Sequence, residues 1–404
     1  MVAATRRNLA ILTASHAVQD LYGGSVPAIL VFFVAQRHFS YLQATGLILA
    51  ATVSSSLLQP LFGLVVDARD QDWISPVGLT TAAIGIGLCG LFQSYPLTWL
   101  AIAVSGIGTA AYHPGAARLA RIVTSGGTRG MSVFSTGGNV GFTLGPLVCA
   151  PLILAFGLGA TPFLAIPGVV MAVTMLVALR PVAAERGGPR PAVRARVRGG
   201  DDWGGFTRVT IAVVTRSAVF FGVAAFAPLY WRHDLRASTN LSEVALACFL
   251  GAGVIGALLG GTVADRFGRW RIVRLGNLAL IPALLLLQGS RGLGPVASLV
   301  PLVLVGITLQ MPHSVLVVLG QDYLPDRSGT AAGVTLGLAM TAGGLVSPLL
   351  GVVADHFGPA VVLLLLVVTP AVALAFILRC RDPRPLALPS QEPAAPVKLA
   401  VEVT

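Results

Sequence analysis

Charge is scarce in this chain, and negative charge is scarcest. Charged residues make up 11% of the 404 positions, with 16 acidic residues against 27 Lys and Arg, whereas soluble proteins average about 25% charged residues. The apolar residues come in runs of about 20, the length that crosses roughly 30 Å of hydrocarbon. The composition therefore excludes a water-soluble protein, and we predict an integral membrane protein that has the lipid bilayer as a partner.

Cysteine and aromatic residues are also few. The four cysteines do not have the spacing of a metal site, so we predict free thiols, no disulfide and no metal. Aromatic residues are 7% of the chain, and they form no patch with basic residues, so we predict no nucleic-acid binding. The net charge of +11 is then explained by membrane topology and by contact with lipid headgroups.

The apolar runs predict twelve transmembrane helices. Their expected bounds, good to a few residues, are roughly 9–35, 42–66, 75–94, 96–119, 131–156, 160–179, 208–231, 241–263, 272–290, 295–321, 329–353 and 359–379. His16, Gln19 and Asp20 interrupt the first run, where a cleaved signal peptide would have an unbroken apolar core. We therefore expect the first run to remain as helix 1.

The two halves of the chain repeat each other. His113 recurs as His313, Pro27 as Pro228, and the segment from Gly63 to Asp67 as 261–265. A long repeat in an apolar chain is typical of transporters built from two bundles. We predict an all-α membrane protein with pseudo-symmetric six-helix bundles at 1–180 and 208–379, a cytoplasmic linker at 181–207, and a disordered tail at 380–404.

The basic residues predict the orientation. With the N-terminus in the cytoplasm, all Arg and Lys outside the spans fall on the cytoplasmic side except Arg37, Arg232, Arg236 and Arg291. The positive-inside rule therefore places both termini in the cytoplasm.

One short turn, between the eighth and ninth helices, combines glycines, a carboxylate and arginines. Its key residues are Gly261, Asp265, Arg266, Gly268 and Arg269. Glycine lets backbones approach, a carboxylate can cap a helix N-terminus, and arginines can bind headgroups or helix-end carbonyls. We interpret the turn as a cytoplasmic latch; the alternative is a plain positively charged loop.

This turn resembles the motif G-x-x-x-D-R-x-G-R-[RK] of the major facilitator superfamily, which occurs in loops 2-3 and 8-9. The first-half copy keeps Gly63 and Asp67 but has Ala68, Asp70 and Gln71 where Arg, Gly and Arg are expected. The resemblance implies the major facilitator fold. It also implies that Asp265 lies beside the start of helix 5, near residues 129–131, and Asp67 beside the start of helix 11, near residues 328–330.

Within that superfamily the chain is most similar to the fosmidomycin-resistance-like exporters. The residues that carry this resemblance include His16 with Asp20-Leu21-Tyr22, Gln59-Pro60, His113-Pro114 with Ala116-Ala117-Arg118, and Gly137-Gly138-Asn139, and in the second half Arg216, Pro228 and Gly343-Gly344. The resemblance implies proton-driven antiport of drug-like or antibiotic-like molecules across a bacterial inner membrane. No cofactor beyond the proton gradient is implied, and a monomer is expected.

Helix 5 carries glycines at four-residue spacing, followed by a proline: Gly137, Gly141, Gly145 and Pro146. Small residues on one face allow close helix packing, and the proline permits bending. A glycine-rich helix 5 that ends in Gly-Pro resembles the exporter signature of the superfamily. Ordinary small-residue packing explains the same spacing without indicating a direction of transport.

Ionisable residues inside the membrane are the main candidates for function. Asp20 is expected to be the only carboxylate well inside a span, with His16 one helical turn away on the same face. Arg216 lies at a similar depth, and we predict that it pairs with Asp20 and that displacement of this pair allows Asp20 to take up a proton. The predicted residues of the substrate cavity are Gln19, His113, Gln310 and His313.

Four alternatives stay open at this stage. Asp20 and Arg216 could form a fixed brace that does not titrate, and the histidines could simply satisfy nearby backbone groups. The protein could be a proton-coupled importer of the same fold. It could also be an integral-membrane transferase that uses Asp67, Asp70 and Asp72 as a metal cluster, although the matching second-half loop holds one Asp among arginines.

Overall fold

The computed structural model describes residues 3–69, 73–124, 128–179, 200–324, 331, 334–335, 339–378 and 380. Within these ranges the side chains of several residues, Asp67 and Asp265 among them, are not described. The greater part of the predicted linker and almost all of the predicted tail lie outside the described residues. Asp70, Gln71 and Asp72 lie outside them as well.

The described residues form twelve helices and contain no strand. In the first half these are α1 Ala3–Arg37, α2 Tyr41–Arg69, α3 Ile74–Leu88, α4 Tyr95–Val123, α5 Thr128–Phe156 and α6 Ala165–Ala178, which follows a short 3₁₀ helix. In the second half they are α7 Trp203–His233, α8 Thr239–Phe267, α9 Arg269–Gly289, α10 Leu299–Tyr323, α11 Ala339–Phe357 and α12 Pro359–Ile377. The twelve predicted helices are thus present in order.

Nine helices in the described part are long and apolar enough to cross a membrane, and α3 is a shorter apolar helix. Several boundaries differ from the predicted ones: α1 begins at Ala3, α3 ends at Leu88, and α7 begins at Trp203, inside the predicted linker. The start of α7 has a local cause, because the Asp202 carboxylate accepts a 2.9 Å hydrogen bond from the Gly205 amide and so caps the helix. Helix α10 is interrupted at Met311 and Pro312, where proline removes a backbone donor.

The same packing scheme occurs in both halves, as the sequence repeat predicts. Helix α1 packs on α5 as α7 packs on α11, α2 on α4 as α8 on α10, and α3 on α6 as α9 on α12. The connecting turns also repeat: His38 and Arg236 have positive φ angles of 55° and 52° after α1 and α7, and Gly157 and Gly358 have 75° and 83° after α5 and α11. The prediction of two pseudo-symmetric six-helix bundles is confirmed.

The two halves meet mainly through two pairs of helices, α2 with α11 and α5 with α8, which the repeat makes equivalent; α1 and α7 also touch. We call the end of the molecule that holds the α1–α2 turn the upper end, and the opposite end, where α1 and α7 begin, the lower end. At the upper end the Asp355 carboxylate of α11 accepts hydrogen bonds of 2.6 and 3.0 Å from the Tyr41 and Leu42 amides at the start of α2. The upper end is therefore closed by direct contact between the halves.

All four cysteines are free thiols. Cys89 and Cys149 are fully buried in the first half. Cys380 lies just beyond the last helix, where burial raises the pKa of its thiol and so lowers its reactivity at neutral pH.

Candidate functional site

Asp20 is held between two histidines in the first half. Its Oδ2 atom lies 3.3 Å from Nε2 of His16, one turn earlier on α1, and its Oδ1 atom lies 3.2 Å from Nε2 of His113 on α4. The Asp20 and His113 side chains are about one-quarter exposed, at 23% and 24%, whereas His16 is nearly buried. We call His16, Asp20 and His113 the charge cluster; it is partly open to solvent.

Both imidazole rings are oriented by the backbone. Nδ1 of His16 lies 2.9 Å from the Phe134 carbonyl oxygen of α5, and Nδ1 of His113 lies 2.9 Å from the Thr109 carbonyl oxygen. A carbonyl oxygen can only accept, so each Nδ1 carries a hydrogen and donates it. Each Nε2 atom is consequently directed at Asp20. The His16 ring also stacks on the Phe134 ring at a centroid distance of 4.3 Å, which restricts it further.

The charge cluster fits tightly against the backbone of α5. A methyl group at Gly138 would lie 2.5 Å from Oδ2 of Asp20 and 2.6 Å from Nε2 of His16, which is closer than van der Waals contact allows. The absence of a side chain at this position therefore gives the cluster its room. From the sequence, Gly138 was one of the residues that carry the resemblance to the exporters, and its steric role was not predicted.

Gln19 differs from its prediction as a cavity residue. In this conformation it is fully buried, because its amide donates a 2.8 Å hydrogen bond to the Thr109 hydroxyl and so joins α1 to α4. It supports the helix that carries His113 and does not face open space here.

Arg216 was predicted as an alternating partner of Asp20, and it does not contact Asp20 in this conformation. Its guanidinium donates a 2.6 Å hydrogen bond to the side-chain oxygen of Gln310 on α10, while Asp20 is occupied by the histidines. Nε of Arg216 is buried without a hydrogen-bond partner in the described part of the chain. His313 lies within electrostatic range of Arg216, so three of the predicted residues are brought together in the second half, separately from the charge cluster.

The glycines of α5 pack against α1. A side chain at Gly137, Gly141 or Gly145 would collide with the α1 backbone, at Thr13, Ala17 and the 24–25 peptide respectively. Close helix contact thus explains the four-residue spacing. Pro146 lies inside the helix, as does Pro151.

The latch region is described only in part. The side chains of Asp67 and Asp265, and the residues proposed to meet Asp67, lie outside the described residues. Gly268 has a positive φ of 92° at the α8–α9 turn, a conformation that favours glycine. Arg269 forms an ion pair with Asp322 at the end of α10, and Arg266 is exposed. A methyl group at Gly63 or Gly261 would make only ordinary contacts, whereas one at Gly260 would collide with the Met311 carbonyl oxygen.

The charge cluster is also the one group of side chains in the described residues that could hold a metal ion, since its ligand atoms all lie within 4.8 Å of one another. Two histidines and a carboxylate are a ligand set that first-row transition metals accept. Protons can satisfy the same contacts. A direct test is therefore needed to decide whether the charge cluster holds protons or a metal ion.

A family model for the Major Facilitator Superfamily matches residues 12–348. The chain belongs to this superfamily. The predicted membership is confirmed, and the protein is a multi-pass membrane transporter, which disfavours the transferase alternative.

Two relatives and one solved structure are similar to this transporter. The fosmidomycin resistance protein of Escherichia coli (strain K12) is 29% identical over 366 residues, 86% of each chain. The uncharacterised MFS-type transporter YfnC of Bacillus subtilis (strain 168) is 27% identical over 385 residues, 92% of each chain. The solved structure of a bacterial homologue of the human lysosomal transporter Spinster, inward-facing and unoccupied, has a TM-score of 0.78 at 16% identity and covers 93% of this chain and 97% of that one. This last likeness shows the fold alone.

A second carboxyl group of the transporter lies in the apolar interior, and the sequence analysis missed it. Glu243, in the second turn of α8, is 2% exposed, and neither of its carboxyl oxygens has a hydrogen-bond partner among the described residues. The expectation that Asp20 is the only such carboxylate is therefore wrong. The position near the start of a span suggested a solvated helix end, whereas the side chain is buried in the packed structure.

Proposed function

We propose that this transporter is a proton-coupled antiporter that exports small molecules by alternating access from a bacterial inner membrane, with both termini in the cytoplasm. The observation that carries the proposal is the charge cluster, in which the oriented Nε2 atoms of His16 and His113 are directed at Asp20 from two helices. Protons are the simplest occupants of these two contacts.

The number of protons in the cluster follows from its hydrogen bonds. Both Nδ1 atoms already carry hydrogen, so each contact between Nε2 and a carboxyl oxygen brings two acceptors together unless a further proton lies between them. With both contacts satisfied, the cluster has a net charge of +1, whichever of the three groups holds the protons. Loss of one proton makes it neutral and leaves an Nε2 lone pair facing the carboxylate. The cluster is therefore suited to take up and release a proton.

Coupling to transport requires that the cluster be reached from different sides in turn. The upper end is closed in this conformation, so the partly exposed faces of Asp20 and His113 are expected to communicate with the cytoplasmic side. When the halves rock and the upper end opens, Asp20 would face the outer solution and the second half. Arg216, whose Nε has no partner here, is then proposed to approach Asp20 and favour its ionised form.

The second half supplies a candidate contact for substrate. Arg216, Gln310 and His313 form a polar group opposite the charge cluster, and the guanidinium suits a substrate with an anionic group. The relation to a fosmidomycin resistance protein supports efflux of antibiotic-like molecules. Import of a small metabolite is the second candidate, because the charge cluster serves either direction.

The test is a susceptibility panel on cells with and without the protein, repeated with a protonophore. Export predicts that the protein lowers cellular accumulation of at least one compound and that the protonophore abolishes the difference. Accumulation that increases with the protein identifies an importer. A chelator arm decides between protons and a metal ion: transport that survives chelation supports proton occupancy, and transport that chelation abolishes contradicts it.

A further inference from the structure

We propose that Glu243 is a second proton-binding site of this transporter, which is occupied when the upper end is closed and empties when it opens. The inference rests on the alternating access proposed above. It assigns to Glu243 the control of the upper end and leaves the coupling of substrate to protons with Asp20.

The location of Glu243 carries the first step. Helix α8 meets α5 at the contact between the halves, and Glu243 lies within electrostatic range of Cys149 on α5, a residue that is itself fully buried. The carboxyl group therefore lies inside the seam that must separate when the upper end opens. The α8 N-terminus does not need it as a cap, because the Ser238 hydroxyl accepts the Leu241 amide at 3.2 Å.

The lack of partners carries the second step. An ionised carboxylate that is removed from water without a counter-charge or hydrogen bonds is strongly disfavoured, and such a group takes up a proton instead. Glu243 is 2% exposed and both of its oxygens lack partners in the described residues. The closed seam is thus compatible with the neutral acid and not with its anion.

The surrounding charges do not change this conclusion. Toward the upper end, the helices packed on α8 and the turns beside them carry seven titratable or charged residues: Cys149, Tyr230, Arg232, His233, Asp234, Arg291 and Arg37. Arg232 donates a hydrogen bond to the Ala237 carbonyl, and His233 lies 3.3 Å from Asp234. Asp234 forms an ion pair with Arg291 at 2.6 Å, and Arg37 donates to the Gly90 carbonyl at 3.0 Å. The Tyr230 hydroxyl has no partner of its own in the described part. None of these residues donates a hydrogen bond to Glu243.

The consequence is a dependence of conformation on pH. Opening of the upper end separates α5 from α8 and admits water to the carboxyl group, which can then ionise. Because the closed form binds one more proton at Glu243 than the open form, low pH favours closure, and the ratio of open to closed protein rises by up to about tenfold for each unit increase in pH. Closure of the upper end would then require Glu243 to take up a proton from the outer solution first.

The experiment measures opening and not transport. Spin labels are attached at Gln36→Cys and His356→Cys, exposed positions at the upper end of the two halves, after the four native cysteines have been replaced by serine. The distance between the two spin labels, measured by double electron–electron resonance in lipid nanodiscs from about pH 5 to about pH 9, then reports the open fraction. In the protein that keeps Glu243, we expect the upper end to open as the pH rises. In Glu243→Gln and Glu243→Met, the upper end should stay predominantly closed, and its open fraction should not depend on pH.

Asp20→Asn serves as the control that separates the two proposals. It should lose proton-driven transport and still show the pH-dependent opening. A pH response that survives in both folded Glu243 variants, or that disappears in Asp20→Asn, overturns the assignment of Glu243. Failure of the wild-type protein to transport against a gradient would instead contradict the proposed function and leave the Glu243 result standing.

Discussion

Arg216 and Gln310 are joined by a 2.6 Å hydrogen bond in the half of the molecule opposite to Asp20. The acidic group and the basic group that the sequence suggested as partners thus each bind side chains of their own half, although Nε of Arg216 keeps no partner among the described residues. In this conformation the carboxylate is compensated by His16 and His113, so the halves can separate or rock without breaking a buried ion pair between them. The pairing of Asp20 with Arg216 remains a proposal for the opposite conformation.

Asp20→Asn should abolish proton-driven transport, with uphill accumulation in proteoliposomes reduced at least about tenfold. The substitution keeps the shape of the side chain and removes the carboxyl group that shares protons with the two imidazoles. Substrate exchange without a pH gradient is the internal control, and it should be retained. Native uphill transport by the variant would show that Asp20 is only a structural brace.

Arg216→Ala should leave the charge cluster intact, because the guanidinium contacts Gln310 and not Asp20. The expected stability loss is that of one buried acceptor left without its donor, about 1–3 kcal/mol, and it should be read from thermal unfolding in detergent. Transport of anionic substrates should fall more than transport of neutral ones. Gln310→Leu is the matched variant: it removes the acceptor and keeps the charge, so equal effects of both changes on all substrates would contradict a role of the charge in recognition.

Gly138→Ala should disable the charge cluster without unfolding the protein. The added methyl group would lie 2.5 Å from Asp20 and 2.6 Å from His16, so the side chains must move and the two proton contacts lengthen. We expect at least about a tenfold loss of uphill transport with normal protein levels. Gly159→Ala is the control, since a methyl group there meets nothing within 4 Å; a similar loss in both variants would point to a general effect of the added methyl group.

Asp355→Ala should destabilise the closed upper end. The carboxylate caps the start of α2 from the other half through the Tyr41 and Leu42 amides, and loss of a helix cap costs about 0.5–2 kcal/mol. Because Cys149 is buried at the neighbouring seam, the rate of its alkylation should rise several-fold in a protein that retains this cysteine alone.

Asp202→Ala provides the comparison for Asp355→Ala. It also removes an aspartate that caps a helix, but its partner is the Gly205 amide of the same half. The alkylation rate of Cys149 should therefore stay at the wild-type value. An increase in both variants would mean that general loosening, and not separation of the halves, exposes Cys149.

Local periodicity allowed the part of the site that lies on one helix to be predicted. His16 and Asp20 are four residues apart, and helical geometry alone brings them together. His113 was recognised as a candidate because it repeats as His313, but its contact with Asp20 depends on how α4 packs on α1, which a single sequence does not specify. Glu243 shows the same limit, since its depth along α8 could be counted but the face it occupies could not.

The close approach in α8 illustrates this limit at the level of one residue. The repeat with the first half drew attention to Gly261, whereas the backbone of α10 lies against Gly260. Adjacent residues on a helix point about 100° apart, so a shift of one position changes which neighbour is met. Motif spacing located the turn, and only the packing located the contact.

Helix α5 contributes to the charge cluster and to the seam between the halves at once. Its glycines hold it against α1 along Gly137, Gly141 and Gly145, so α1 and α5 move as one unit that carries Asp20 and the carbonyl that orients His16. When α8 leaves this unit, the nearest neighbours of Asp20 stay in place while the surface opposite it is exchanged. The proton affinity of the charge cluster would then depend on which groups of the second half face it. Inhibitors that bind between α5 and α8 should therefore fix both the conformation of the transporter and the protonation state of the cluster.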